Sequence, residues 1–129
     1  MKKLSLLLTL IFTFSACSSS SESNAKKHVQ QSMKEFVKEQ THSDGTMPVL
    51  YKGKVLKLEV RTSKKYPDGF HSGVKNHGDI YTSCADFIDP KTKDKFDIDF
   101  LVKKTGERYS VVQPFVHSKN GIKNPYDLH

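Results

Sequence analysis

Arginine is nearly missing from this chain. Arg61 and Arg108 are the only two among 21 basic residues. Recognition of phosphates and base edges leans on the forked, planar guanidinium. The net charge of +7 therefore does not point to a nucleic-acid partner. Cysteine is also scarce, with Cys17 and Cys84 the only two. Long apolar runs are absent too. The longest, Leu4 to Phe14, has 11 residues, and a helix needs about 20 to cross a bilayer. Fingerprints of common chemistries are missing: there is no P-loop, no dinucleotide glycine pattern and no G-x-S-x-G. Nor is there an H-x-x-x-H, an H-E-x-x-H or a C-x-x-C of the kind that marks zinc sites. No cofactor is implied by any local pattern.

The opening residues carry an address. Lys2 and Lys3 form a short positive region, and the apolar run to Phe14 follows it. That is the length of a signal-peptide core. Phe14-Ser15-Ala16-Cys17 then places two small residues before a cysteine. An ordinary A-x-A-like cleavage site needs a small residue where Phe14 stands. Here the chain resembles bacterial lipoproteins, whose lipobox is an apolar residue, two small residues and a cysteine. Phe14 replaces the usual leucine of that family. The resemblance covers residues 1–17. It implies removal of residues 1–16 as a signal peptide and a lipid anchor on the Cys17 thiol. It further implies a place in the bacterial cell envelope, at the outer membrane or the outer face of the cytoplasmic membrane. Cys84 would then be left without a disulfide partner. Residues 17–24, C-S-S-S-S-E-S-N, read as a flexible polar tether.

Residues 25–129 are then one domain, of a size that sustains a single modest core. Ala25 to Gln40 has Val29, Met33, Phe36 and Val37 at i, i+4, i+7 and i+8, one face of a helix, with Ser23 or Asn24 placed to cap it. Val49 to Tyr51 and Val55 to Thr62 flank Lys52-Gly53-Lys54 as a hairpin. Asp79 to Ile88 is a strand with Tyr81, Ser83, Ala85 and Phe87 on one face. After a turn at 89–94, Phe96, Ile98, Phe100 and Val102 alternate with Asp97, Asp99, Leu101 and Lys103. Tyr109 to His117 is a further strand, with Pro114 signalling an edge or a bulge. Ile122, Tyr126 and Leu128 are available to fasten the tail. The order predicts an α+β, two-layer domain: one N-terminal helix on an antiparallel sheet of about four to five strands. By element order alone it resembles cystatin-like and nuclear-transport-factor-like folds, a likeness that lends no function.

Ser63 to Gly78 has no period. It holds Pro67, three glycines, Tyr66, Phe70, His71 and His77, and loops of this length are frequently functional. A short strand near 69–74 fits inside it. Beside it lies a basic segment, residues 52–65, about five charges positive. Lys52, Lys54, Lys57, Arg61, Lys64 and Lys65 together with Tyr66, Phe70, His71 and His77 form the candidate binding surface, suited to an envelope protein or an anionic polymer. His71 and His77, with Asp68 and Asp79 near, lack metal-ligand spacing. Asp97 and Asp99 fall on the outer face of their strand, positioned for cross-strand lysines.

Three functions compete. The first is a non-enzymatic, membrane-tethered binding module. The second is an inhibitor or exclusion-type lipoprotein that blocks an exported enzyme or a phage component. The third is a small enzyme using Cys84 as nucleophile with His77 as base. Against the third, Cys84 sits mid-strand, where burial disfavours a thiolate.

Overall fold

The computed structural model describes residues 18–125, with side chains described from residue 20. The signal peptide, the lipobox, Cys17, Tyr126 and Leu128 lie outside the described residues. Helix α1 spans Ser18–Gln40. Its apolar stripe is the expected one: Val29, Met33 and Val37 are buried and Phe36 packs edge-on against Phe100. Each fully buried side chain of this size contributes about 1.5–3 kcal/mol. The helix begins earlier than the periodicity suggests. Ser18 to Asn24 forms its first turns rather than a tether, and Ser23 and Asn24 lie inside it rather than at its cap. Residues 20–24 are exposed, so periodicity carries no signal for them. A Glu22–Lys26 pair one turn apart, 3.7 Å, supports this end. The helix stops where Thr41 turns its amide and hydroxyl back to Val37 O. Asp44 then caps Thr46, and Gly45 takes a left-handed φ of +84°.

Seven strands follow: β1 (Met47–Tyr51), β2 (Lys54–Val60), β3 (Lys75–Asn76), β4 (Ile80–Ile88), β5 (Lys95–Thr105), β6 (Arg108–Lys119) and β7 (Ile122–Lys123). All pairings are antiparallel, in the order β1-β2-β4-β5-β6-β7, with β3 also on β4. This is the expected two-layer α+β arrangement with two more strands. The extra ones, β3 and β7, are two residues each, too short for an alternating pattern to mark. Lys52 and Gly53 join β1 to β2 with φ of 49° and 75°, the left-handed pair that a two-residue hairpin turn requires.

Tyr81, Ala85, Phe87, Phe96, Ile98, Phe100, Val102 and Val116 form the sheet's inner face under α1. The β1–β2 hairpin curls onto the same face, adding Met47, Val49 and Leu58. The curl brings β1 back towards β6. Tyr51 packs edge-on against Phe96, and its hydroxyl donates to Asn124 Oδ1 at 3.3 Å. Asn124 in turn donates to Val116 O at 2.8 Å. Asn124 fastens the chain end in this way, whereas Ile122 pairs through its backbone with Lys119 and leaves its side chain 76% exposed.

Two irregularities in β6 matter below. The β5–β6 register shifts between Asp97 and Ile98 and again between Leu101 and Val102. His117 and Val112 are the extra residues, so Pro114 lies between two bulges. At Pro114 the strand is also an edge, because β7 covers only Ser118 and Lys119.

Candidate functional site

The helix and the curled hairpin cover one sheet face. The opposite face of β4 and β5 presents Thr82, Cys84, Asp86, Asp97 and Asp99. The β4–β5 register sets Cys84 across from Asp99 and Asp86 across from Asp97. Three carboxylates therefore surround one thiol.

The segment after β2 completes the site by running along the free edge of β4. Arg61 N donates to Asp86 O, Asp86 N to Gly69 O and His71 N to Cys84 O, at 2.8, 2.8 and 2.9 Å. Phe70 bridges Ala85, and β3 then pairs Thr82 and Tyr81. The segment is held from both ends: Gln30 on α1 donates to His71 O at 2.7 Å and Ser83 Oγ to Gly73 O at 2.6 Å. The expected short strand reduces to the Phe70 bridge and β3. Alternation along this extended stretch turns Phe70 inward against the core, under the Lys34 ammonium. It turns His71 outward.

His71 links the site. Its Nε2 lies 2.8 Å from Asp86 Oδ1, and its Nδ1 lies 2.8 Å from Cys84 Sγ. A carboxylate only accepts, so Nε2 carries the proton there and Nδ1 turns its lone pair to the thiol. Tyr66 stacks on the imidazole with centroids 4.0 Å apart. Arg61 Nη2 pairs with the other oxygen of Asp86 at 3.4 Å. On the far side His117, the bulged residue, turns Nδ1 to Asp99 Oδ2 at 2.8 Å. Tyr66, His71, Cys84, Asp97, Asp99 and His117, with Gly73, Val74 and Lys75, line a recess of about 350 Å³, and Asp86 and Arg61 support it through His71.

The electrostatics follow from this crowding. Burial, and then the charges of Asp97, Asp99 and Asp86, push the Cys84 thiol well above the usual range. Burial also raises Asp97, helped by Asp99 and Asp86 and opposed by His71 and His117. Asp97 Oδ1 is buried and has no hydrogen-bond partner.

The structure splits the residues singled out from the sequence. Tyr66 and His71 line the recess, and Arg61 reaches it only through Asp86. Phe70 belongs to the core side. His77 does not approach Cys84; it bonds Thr82 Oγ1 at 3.1 Å. His71 stands in the place the sequence suggested for His77. Lys54, Lys57 and Lys64 are exposed, Lys52 lies at the hairpin tip over Tyr51, and Lys65 lies over Tyr66. Asp97 and Asp99 have no lysine across from them. Their β4 neighbours are Asp86 and Cys84, and their β6 neighbours Ser118 and Phe115. Asp86, Asp97, Asp99 and His117 were not among the candidates. One signal for them exists: closing the 89–94 turn with Ile88 opposite Lys95 aligns the acids with the thiol. The bulge that aims His117 leaves no such trace. No family model, curated protein or solved structure matches the chain.

Proposed function

We propose that this protein is a non-enzymatic binding module, held in the bacterial envelope by a lipid on Cys17, whose ligand site is the recess on the open sheet face. The division of the sheet carries the reading. One face is sealed by α1 and the hairpin, and the other gathers His71, Cys84, Asp97, Asp99 and His117 around one hollow, with Asp86 and Arg61 bonded behind His71. A concave site with a few convergent polar groups is the usual form of a ligand site. Among the described residues no helix is long and apolar enough to cross a membrane. Attachment in this reading therefore falls to the lipid.

The Cys84–His71–Asp86 chain has the connectivity of a nucleophile, a base and an orienting acid. Its surroundings favour binding over catalysis. Reactive thiols sit in electropositive pockets, and this one is ringed by carboxylates. An inhibitory or exclusion role is a special case of the same reading, in which the captured partner is an exported enzyme or a phage component.

Two measurements test the proposal on the full chain in its host envelope. Fatty-acid labelling is lost and the protein leaves the membrane fraction in Cys17→Ser; retained label removes the anchor. Capture of envelope components is then compared for the parent, Tyr66→Ala and a variant with Lys52, Lys54, Lys57, Lys64 and Lys65 changed to Gln. Loss in Tyr66→Ala supports the recess. Loss only in the lysine variant moves the binding surface to the basic face, and unchanged capture in both ends the reading.

A further inference from the structure

We propose that His71 Nδ1, Cys84 Sγ and Asp97 Oδ1 form a site for a divalent transition-metal ion of the zinc class, three protein ligands with one position open. This deepens the binding-module reading by naming a ligand for its recess. His71, Cys84 and Asp97 each offer a ligand atom, a ring nitrogen, the sulfur and a carboxylate oxygen, and these lie within 4.8 Å of one another. Zinc bonds of about 2.0–2.3 Å in tetrahedral geometry place ligands roughly 3.4–3.6 Å apart. Cys84 Sγ and His71 Nδ1, now at 2.8 Å, need to part by less than about 1 Å to meet that spacing.

Three features make the cluster more than a chance grouping. Metal-binding histidines donate their other N–H to a carboxylate, which fixes tautomer and ring direction. His71 does this with Asp86, itself steadied by Arg61. Tyr66 holds the ring from one side. Asp97 Oδ1 is a buried oxygen with no partner, a costly state that a cation relieves. The local charge asks for a cation as well. Asp97 and Asp99 line the hollow along with Lys75, and Asp86 adjoins it through His71, with Arg61 paired to Asp86.

The donor types select the ion. One thiolate, one imidazole and one carboxylate suit zinc and its neighbours. Calcium and magnesium want six or more oxygens. On loading, the Cys84 S–H bond breaks, its electron pair goes to the metal and the proton goes to solvent. One proton is released per ion from the thiol. The fourth position opens into the recess beside Tyr66, Lys75, Asp99 and His117, where water or a donor atom of a second ligand completes the shell.

The test uses the full chain carrying Cys17→Ser, so that Cys84 is its only thiol, stripped with a chelator and titrated with Zn²⁺ or Co²⁺. One ion should bind per chain, and cobalt should give a near-ultraviolet thiolate charge-transfer band. Cys84→Ser should remove that band. His71→Gln and Asp97→Asn should each weaken binding by ~10–100-fold, and so should Asp86→Asn, a positioning residue, while keeping the band. His42→Gln, at an exposed position just past α1, should change nothing. Should Cys84→Ser fail to fold, protection of Cys84 from alkylation by Zn²⁺ in the parent gives the same answer. Cobalt bound without the band, affinities unmoved by His71→Gln and Asp97→Asn, or no protection, would each overturn the metal site. Envelope capture that still depends on Tyr66 in the metal-free protein would leave the binding module standing. Capture independent of Tyr66 in both the metal-loaded and the metal-free protein would end the binding module and leave the metal site to the titration alone.

Discussion

Gly69→Ala probes how the site is assembled. Gly69 has a φ of +83°, and a Cβ there would lie 2.5 Å from Val60 Cγ1 and 3.1 Å from Arg61 O. The left-handed backbone costs a non-glycine residue about 1 kcal/mol. The clash adds to this. Carbon atoms pack at about 3.5–4.0 Å, so Val60 must give by roughly 1 Å, and a β-branched side chain gives poorly. Forced overpacking of this kind costs about 1–3 kcal/mol. The expected loss is about 2–4 kcal/mol, which at roughly 4 °C per kcal/mol lowers Tm by about 8–16 °C. Gly106 supplies the control. Its φ is +61°, but nothing lies within 4 Å of its Cβ position, so Gly106→Ala costs only the backbone term of about 1 kcal/mol. The assay is equilibrium urea unfolding of both variants with amide exchange at Asp86, whose N–H is bonded to Gly69 O. Gly69→Ala should be less stable than Gly106→Ala by about 1–3 kcal/mol, with faster exchange at Asp86. Equal stability and unchanged exchange would refute the claim that a close approach at Gly69 pins His71 beside Cys84.

Two further predictions concern the frame around the site. Asn124→Ala removes the bonds to Val116 O and from Tyr51; it should cost about 1–2 kcal/mol and speed amide exchange in β1 more than in β4, and uniform exchange would count against Asn124 as the clasp. Asp94 is held below the usual carboxylate range by hydrogen bonds from Asn120, then Lys119, then Thr92. Its folded pKa lies below its unfolded one, so its ionised form stabilises the fold above about pH 4 and that contribution is lost as pH falls through the folded value. Asp94→Asn should flatten the acid limb of a urea-midpoint profile, and identical limbs in parent and variant would be the contrary result.

The framework was legible where one rule acts over several residues. The helical stripe from Val29 to Val37, the alternation from Phe96 to Val102 and the left-handed Lys52-Gly53 turn each follow from local chain geometry. The outward placement of Asp97 and Asp99 was legible for the same reason. Their partners were not, because cross-strand neighbours depend on register. His71 was harder still. Thirteen residues separate it from Cys84, and its direction depends on Gly69 holding a left-handed backbone against β2 so that residues 69–71 lie along β4. A stretch that pairs through single bridges carries no period. His117 is aimed by a bulge, which by nature breaks the pattern used to read strands.

The early start of α1 changes what a lipid on Cys17 would do. A flexible serine tether would leave the domain free to turn. A helix that begins at Ser18 leaves no residue between such an anchor and the helix, so the domain would then meet the membrane in a restricted orientation. Residues near the start of α1 lie beside Val74, Asn76, Tyr81, Lys104 and Tyr109. With a lipid on Cys17, the Ile80 end of β4 would be the end nearer the membrane. Cys84 is four residues further along that strand, about 13 Å at ~3.3 Å per residue. The recess would then sit close to the lipid surface. Such a geometry suits ligands that arrive along the membrane, where a tethered site gains from raised effective concentration.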